Sequence, residues 1–170
     1  KSNAKHRRLR KVKDLSHVDK RGSARMVDVS KKAETAREAK ASGYLSMDLE
    51  TLNAIESGSL KKGDVLAVAR VAGINAAKAT SSLIPLCHNI ILEKVEVDFH
   101  LEEFEGKGRI GIYARSKTTG KTGVEMEALT ACSIAALTLY DMCKSIDRGM
   151  TISNISLDEK KGGKSGEWKR

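Results

Sequence analysis

The chain is short of several residue types that would have pointed to a ready answer. It has one proline, one tryptophan, two phenylalanines and three cysteines in 170 residues, and aromatic side chains make up 4% of it. So few stacking side chains argue against recognition of single-stranded RNA, which leans on aromatic platforms. The segment Lys107 to Tyr113, KGRIGIY, has a faint likeness to the signature strand of RNA-recognition domains, yet Tyr113 is its one stacking residue. Cys87, Cys132 and Cys143 form no C-x-x-C unit, so they read as reduced core residues of a reducing compartment. His6, His17, His88 and His100 are scattered without ligand spacing, which leaves no structural zinc site in view. No apolar run reaches the roughly 20 residues of a membrane span, and the expectation is a soluble protein without a membrane partner.

Positive charge is abundant but unevenly spread. The formal net charge is +9, and Lys1 to Arg25 holds ten Lys and Arg against Asp14 and Asp19, a net of +8. The other 145 residues carry +1. A basic tail of this composition is expected to be disordered, and the near-neutral remainder gives no reason to expect nucleic acid as a partner. The chain opens on Lys1 rather than Met, which suggests a fragment or a processed form. Its acid-poor start up to Lys13 reads as the remnant of a transit peptide or as a linker. The length fits one domain with a proper core. The expected division is a basic extension over 1–25, one domain over 26–166 and a short tail over 167–170.

Punctuation and periodicity give the order of elements. Met26 to Ser30, MVDVS, is a short extended segment, and a strand follows around Arg37 to Ser46. Asp48 offers an N-cap, Leu49, Leu52 and Ile55 a helical stripe and Gly58 a stop, so Asp48 to Ser57 reads as a short helix. Asp64 caps the next helix, with Val65, Val68, Ala69 and Ala72 at helical spacing. Helix resumes from Asn75 to Leu83 after a flexible Gly73, and Pro85 ends it. Lys94 to Leu101 alternates cleanly, with Val95, Val97, Phe99 and Leu101 on one face and Glu96, Asp98 and His100 on the other. Glu102 to Gly108 turns the chain into Ile110, Ile112 and Ala114, the returning half of a hairpin. A long helix, a last strand near Met150 to Leu157 and a Gly/Lys-rich tail complete the order. From Arg37 to Leu157 this is β-α-β-β-α-β with an extra short helix and an N-terminal extended segment, an α+β sandwich of the ferredoxin-like kind. Helices cover one sheet face and leave the other free; were that face apolar, further copies of the chain would have to cover it.

The most informative stretch is Gly120 to Lys144, GKTGVEMEALTACSIAALTLYDMCK. Apolar residues from Val124 to Cys143 fall on nearly every side, so this helix should be covered almost all round. Polar groups on it are then costly. Asp141 and Lys144 stand three apart on one face, where a carboxylate and an ammonium shift each other's pKa and make a candidate acid/base pair. The plainer reading is a surface ion pair worth a few tenths of a kcal/mol. Glu127 and Asp141, fourteen residues apart, would lie about 21 Å from each other on a continuous helix. Either the helix begins after Glu127, or one site is assembled from two copies of the chain. The second is favoured, and it predicts a homo-oligomer with its active site at a subunit boundary.

Two lysine-glycine stretches are candidates for phosphate loops. Gly120-Lys121-Thr122 has Arg115, and Gly163-Lys164-Ser165 has Asp158, where G-x-x-x-x-G-K-[ST] requires glycine. Neither is a Walker A loop. Both remain donor-rich backbone that suits a polyphosphate, and each taken alone is as readily an ordinary turn. His88 emerges from LIPLCHN (Leu83–Asn89), where a core histidine bonded to backbone is the commoner outcome. Lys62 and Lys160 read singly as surface lysines.

Six segments taken together change these weights. MVDVS at Met26 to Ser30, KKGDVLAVARVAGINAAK at Lys61 to Lys78, LIPLCH at Leu83 to His88, KTGVEMEALTA at Lys121 to Ala131, LYDMCK at Leu139 to Lys144 and KGGKSG at Lys161 to Gly166 closely resemble the cyclic pyranopterin monophosphate synthase family of molybdenum cofactor biosynthesis. The resemblance runs from Met26 to about Gly166. It implies a ferredoxin-like chain assembled as a hexamer, a trimer of dimers, with sites between subunits. It implies a lyase that turns 3′,8-cyclo-7,8-dihydroguanosine triphosphate into cyclic pyranopterin monophosphate and pyrophosphate. By position it puts the catalytic aspartate on Asp141 and its lysine partner on Lys144. Substrate contacts fall on Leu86, Cys87, His88, Met126 and Glu127, with Glu125, Lys62, Arg37 and Lys160 also at positions similar to site residues. No tightly bound cofactor or metal is implied, a magnesium ion beside the substrate triphosphate being compatible with it, and the cytoplasm is the expected compartment, or the mitochondrial matrix in a eukaryote. Asn89 departs from the family, which often has proline after the histidine. A non-catalytic scaffold of the same pathway is the alternative in which these polar groups are structural.

Overall fold

The computed structural model describes residues 23–170. The basic extension proposed for 1–25 therefore lies, apart from its last three residues, outside the described residues. The element order is β1 (Thr35–Met47), α1 (Leu49–Glu56), α2 (Val65–Lys78), α3 (Thr80–Leu83), β2 (Lys94–Phe104), β3 (Lys107–Gly120), α4 (Glu125–Cys143), β4 (Thr151–Lys161) and β5 (Trp168–Lys169). The strands form one antiparallel sheet ordered β2-β3-β1-β4-β5. Without β5 this is the ferredoxin-like order expected from the sequence, and the fold is α+β.

The alternation of each strand decides which face the helices cover. Ala39, Ala41, Leu45 and Met47 of β1, Ile110, Ile112 and Ala114 of β3 and Val97 of β2 are buried on the face that α1, α2 and α4 cover. Asp64 caps α2 as expected, accepting the Ala67 N–H at 2.9 Å. Asp48 occupies the cap position of α1 but its carboxylate bonds Lys107 at 2.9 Å instead of the helix. The β2–β3 hairpin turns on Glu105 and Gly106 alone, both with positive φ (52° and 73°), tighter than the expected Glu102–Gly108.

Four expectations need correction. Gly73 does not interrupt a helix: α2 runs through it, because a Cβ there would stand 2.9 Å from the Ala131 carbonyl and 3.3 Å from the Ala135 Cβ of α4. It is the point where two helices touch. The long helix starts at Glu125 rather than Gly120, since β3 continues through the polar run Arg115–Gly120 to pair with Thr35–Lys40. That helix is buried along most of its length but not all round, Leu137 being 54% exposed in the single chain. Finally, the free sheet face is charged and aromatic rather than apolar. Arg115 pairs with Glu38 at 2.8 Å and Lys40 with Glu159 at 2.7 Å, and the Arg109 guanidinium lies over the rings of Tyr44 and Phe104. Such a face is at home in water, so it carries no argument for association. Among the described residues no helix is long and apolar enough to cross a membrane.

Candidate active site

The pairing of β1 with β4 sets Ala39 opposite Lys160 and Glu38 opposite Lys161, which lays the glycine-rich segment after β4 against the start of β1. Gly162 and Gly163 take φ of 93° and 75° there. A Cβ on Gly163 would fall 1.5 Å from Arg37 Nη1, and one on Gly162 2.0 Å from the Ala36 carbonyl. Only glycine leaves Arg37 its place. The Arg37 Nε donates to the Gly120 carbonyl at 3.2 Å, tying the guanidinium to the end of β3. Lys160 Nζ lies 3.3 Å from Glu125 Oε1 and donates to Ser165 Oγ at 2.6 Å.

These groups wall a cleft of about 740 Å³ together with Lys31, Lys32, Lys121 and Lys164. Both lysine-glycine stretches thus border the same space, where the balance of charge is strongly positive and suits an anion. A second hollow of about 370 Å³ adjoins it, sharing Lys32, Thr122, Gly123 and Glu125, and is lined by Leu86, Cys87, His88, Met126 and Glu127. Glu127 is 3% exposed, and burial pushes its carboxyl up to about 7. Burial and the neighbouring Glu127 charge also push the Cys87 thiol up, which makes it a poor nucleophile. His88 Nε2 donates to the Val27 carbonyl at 2.7 Å. A carboxyl that titrates near neutrality beside a cationic cleft can give or take a proton while the lysines hold phosphate oxygens.

Asp141, Lys144 and Lys62 are elsewhere. Lys144 Nζ is 2.6 Å from Asp141 Oδ1, and Lys62 Nζ donates to the Asp141 carbonyl at 3.0 Å. The Lys144 ammonium holds the Asp141 carboxyl below the usual carboxylate range, with Lys62 adding to the effect, and Asp141 raises Lys144 in return. Both side chains of the pair are more than half exposed, and neither cleft includes them. Because α4 is unbroken from Glu125 to Cys143, the alternative in which the helix starts after Glu127 is removed. The fourteen-residue span keeps Glu127 and Asp141 about 21 Å apart. One chain therefore holds the candidate residues in two groups, Arg37, Leu86, Cys87, His88, Glu125, Met126, Glu127 and Lys160 at one end of α4 and Lys62, Asp141 and Lys144 at the other.

The sequence matches the model of the MoaC family over residues 26–163. The chain belongs to the MoaC family. Among its relatives, the cyclic pyranopterin monophosphate synthase of Thermoanaerobacter pseudethanolicus is 59% identical over 157 residues, which cover 92% of this chain and 98% of that one. The enzymes of the same name from Clostridium acetobutylicum and Thermomicrobium roseum are 56% and 58% identical, each over 92% of this chain and over 96% and 93% of their own lengths. Both groups of candidate residues fall inside the span matched to the MoaC family, whereas Lys164 and Ser165 lie just past it. Sequence reasoning passed over Lys31 and Lys32, for which two lysines directly after MVDVS were the signal, and it marked Val27 and Val29 only as part of the MVDVS segment without giving them a place in the hollow.

Proposed function

We propose that the chain is a cyclic pyranopterin monophosphate synthase, a lyase of molybdenum cofactor biosynthesis that converts 3′,8-cyclo-7,8-dihydroguanosine triphosphate to cyclic pyranopterin monophosphate and pyrophosphate. The observation that carries this reading is membership of the MoaC family with more than half of the residues identical to synthases along nearly their whole length. The reaction redistributes atoms without an oxidant. A substrate oxygen bonds the α-phosphorus, the bond from that phosphorus to the bridging oxygen breaks, and pyrophosphate leaves with the electron pair. Protons move on and off ring nitrogens and ribose oxygens as the guanosine skeleton becomes a pterin.

In this reading the lysine and arginine cleft holds the triphosphate and then the pyrophosphate. Glu125, Glu127, His88 and the Leu86 to Cys87 backbone face the base in the adjoining hollow. Asp141 and Lys144 supply acid/base chemistry with Lys62 beside them, brought to the cleft by a second copy of the chain in a homo-oligomer, a hexamer arranged as a trimer of dimers. The 21 Å gap within one chain supports that shared site. No tightly bound cofactor belongs to the scheme. The cleft carboxylates, Glu38 and Glu125, are engaged by Arg115, Lys117 and Lys160, so a magnesium ion would ride on the triphosphate rather than on protein ligands. We place the reaction in the cytoplasm, or in the mitochondrial matrix of a eukaryote, with neither nucleic acid nor membrane as partner. Incubation with the cyclised dihydroguanosine triphosphate should yield the pterin product and pyrophosphate in equal amounts; substrate recovered intact would refute the reading.

A further inference from the structure

Residues 27–32 cross the base-binding hollow as a strap, and their backbone touches the site at two points. The Val27 carbonyl accepts from His88 Nε2 at 2.7 Å, and the Ser30 carbonyl accepts from Lys121 Nζ at 3.3 Å. The strap's shape is imposed locally. Asp28 Oδ1 accepts the Ser30 backbone N–H at 2.8 Å and the Ser30 hydroxyl, and the Lys32 N–H closes onto the Val29 carbonyl at 3.0 Å. Val27 and Val29 thereby line the hollow, and Lys32 borders both hollow and cleft.

A carbonyl oxygen can only accept, so the His88 nitrogen facing Val27 must carry hydrogen. In a neutral ring the lone pair is then on Nδ1, and the ring's remaining polar atom is an acceptor. We propose that this strap is a positioning device for the synthase reaction, with Asp28 as its key residue: it locks His88 in the Nε2–H tautomer and offers Nδ1 to an N–H group of the substrate's base. A histidine free to swap tautomers would present Nδ1 as a donor part of the time and would hold such a base less well. The inference rests on the assignment of His88 to the substrate site, and the test separates the two.

Nitrogen-15 NMR of the full chain reads the tautomer without substrate, and it should report Nε2–H for His88. Asp28→Ala, an exposed change that leaves the core untouched, should raise KM about tenfold while kcat stays within about threefold, the loss expected when one positioned hydrogen bond is given up. Asp28→Asn keeps an oxygen for the Ser30 N–H and should recover most of the difference. Adding Asp28→Ala to His88→Gln should raise KM no further, since both act through one contact. An Nδ1–H tautomer in the unsubstituted chain would overturn the proposal. So would an unchanged KM in Asp28→Ala when His88→Gln raises it. Unchanged KM in His88→Gln would instead remove His88 from the site, and the strap's role with it, whatever the tautomer.

Discussion

Glu127 and Asp141 sit on one helix with opposite proton affinities, and their surroundings set the difference. Glu127 is walled in, so its charged form loses hydration and its folded pKa rises from 4.5 to about 7. Asp141 stands in the open beside two ammonium groups and stays ionised. The sign for stability follows from proton uptake. Between about pH 4.5 and 7 the folded chain binds the Glu127 proton more tightly than the unfolded one, so the stability present at low pH declines as pH rises and the full cost of ionisation is felt above 7. Glu127→Gln should therefore flatten that part of the stability profile and stabilise the chain near pH 8 by on the order of 3 kcal/mol at most, as chemical denaturation across pH would show. Turnover should suffer in the same variant. Asp141→Asn behaves differently, because an exposed side chain contributes little to the fold. Its kcat should fall about 10²-fold or more with no change in melting temperature, the outcome for a general acid or base; unchanged turnover would favour the scaffold alternative.

The contact between α2 and α4 shows where local sequence is and is not a sufficient guide. The stripe of α2 was legible, as were the presence of α4, the hairpin, the capping Asp64 and the alternation in β2, since each depends on residues adjacent in the chain. Gly73 was not. Its flexibility suggested a break, yet the residue is glycine because the Ala131 carbonyl of a distant helix occupies the space a methyl would need. The end of β3 was equally opaque, for Ser116-Lys117-Thr118-Thr119-Gly120 has no apolar alternation and is held as strand by pairing with β1. Among the candidate site residues, the Asp141–Lys144 ion pair was visible as an i, i+3 spacing, but the meeting of Arg37 with the Gly162–Gly163 turn depends on β1–β4 register, which no window of sequence contains. A helix-favouring change should thus fail where the neighbour objects. Gly73→Ala gains about 1 kcal/mol of intrinsic helix propensity but should lower stability by about 1–3 kcal/mol through the clash, measurable by urea unfolding. A stabilised variant would mean that α2 and α4 stand farther apart.

At the scale of the whole molecule, the proposed function has to bring two groups of residues at opposite ends of α4 to one substrate. A bound guanosine triphosphate derivative cannot bridge 21 Å of helix, and the folded core offers no hinge in α4 that would shorten it. Under the shared-site proposal, a hollow defective in Glu127 and a patch defective in Asp141 are complementary lesions. In a symmetric dimer of one Glu127→Gln chain and one Asp141→Asn chain, one site collects both lesions and the other collects neither. Random pairing of equal amounts makes half of the dimers mixed, so refolding the two inactive variants together should restore about a quarter of the unsubstituted activity. If each site were built within one chain, every site in the mixture would keep a lesion, and the mixed sample would be as inactive as its parents. The measurement needs neither an assembly structure nor knowledge of the oligomer's size, because recovery depends only on whether the Asp141 and the Glu127 that serve one substrate come from different copies.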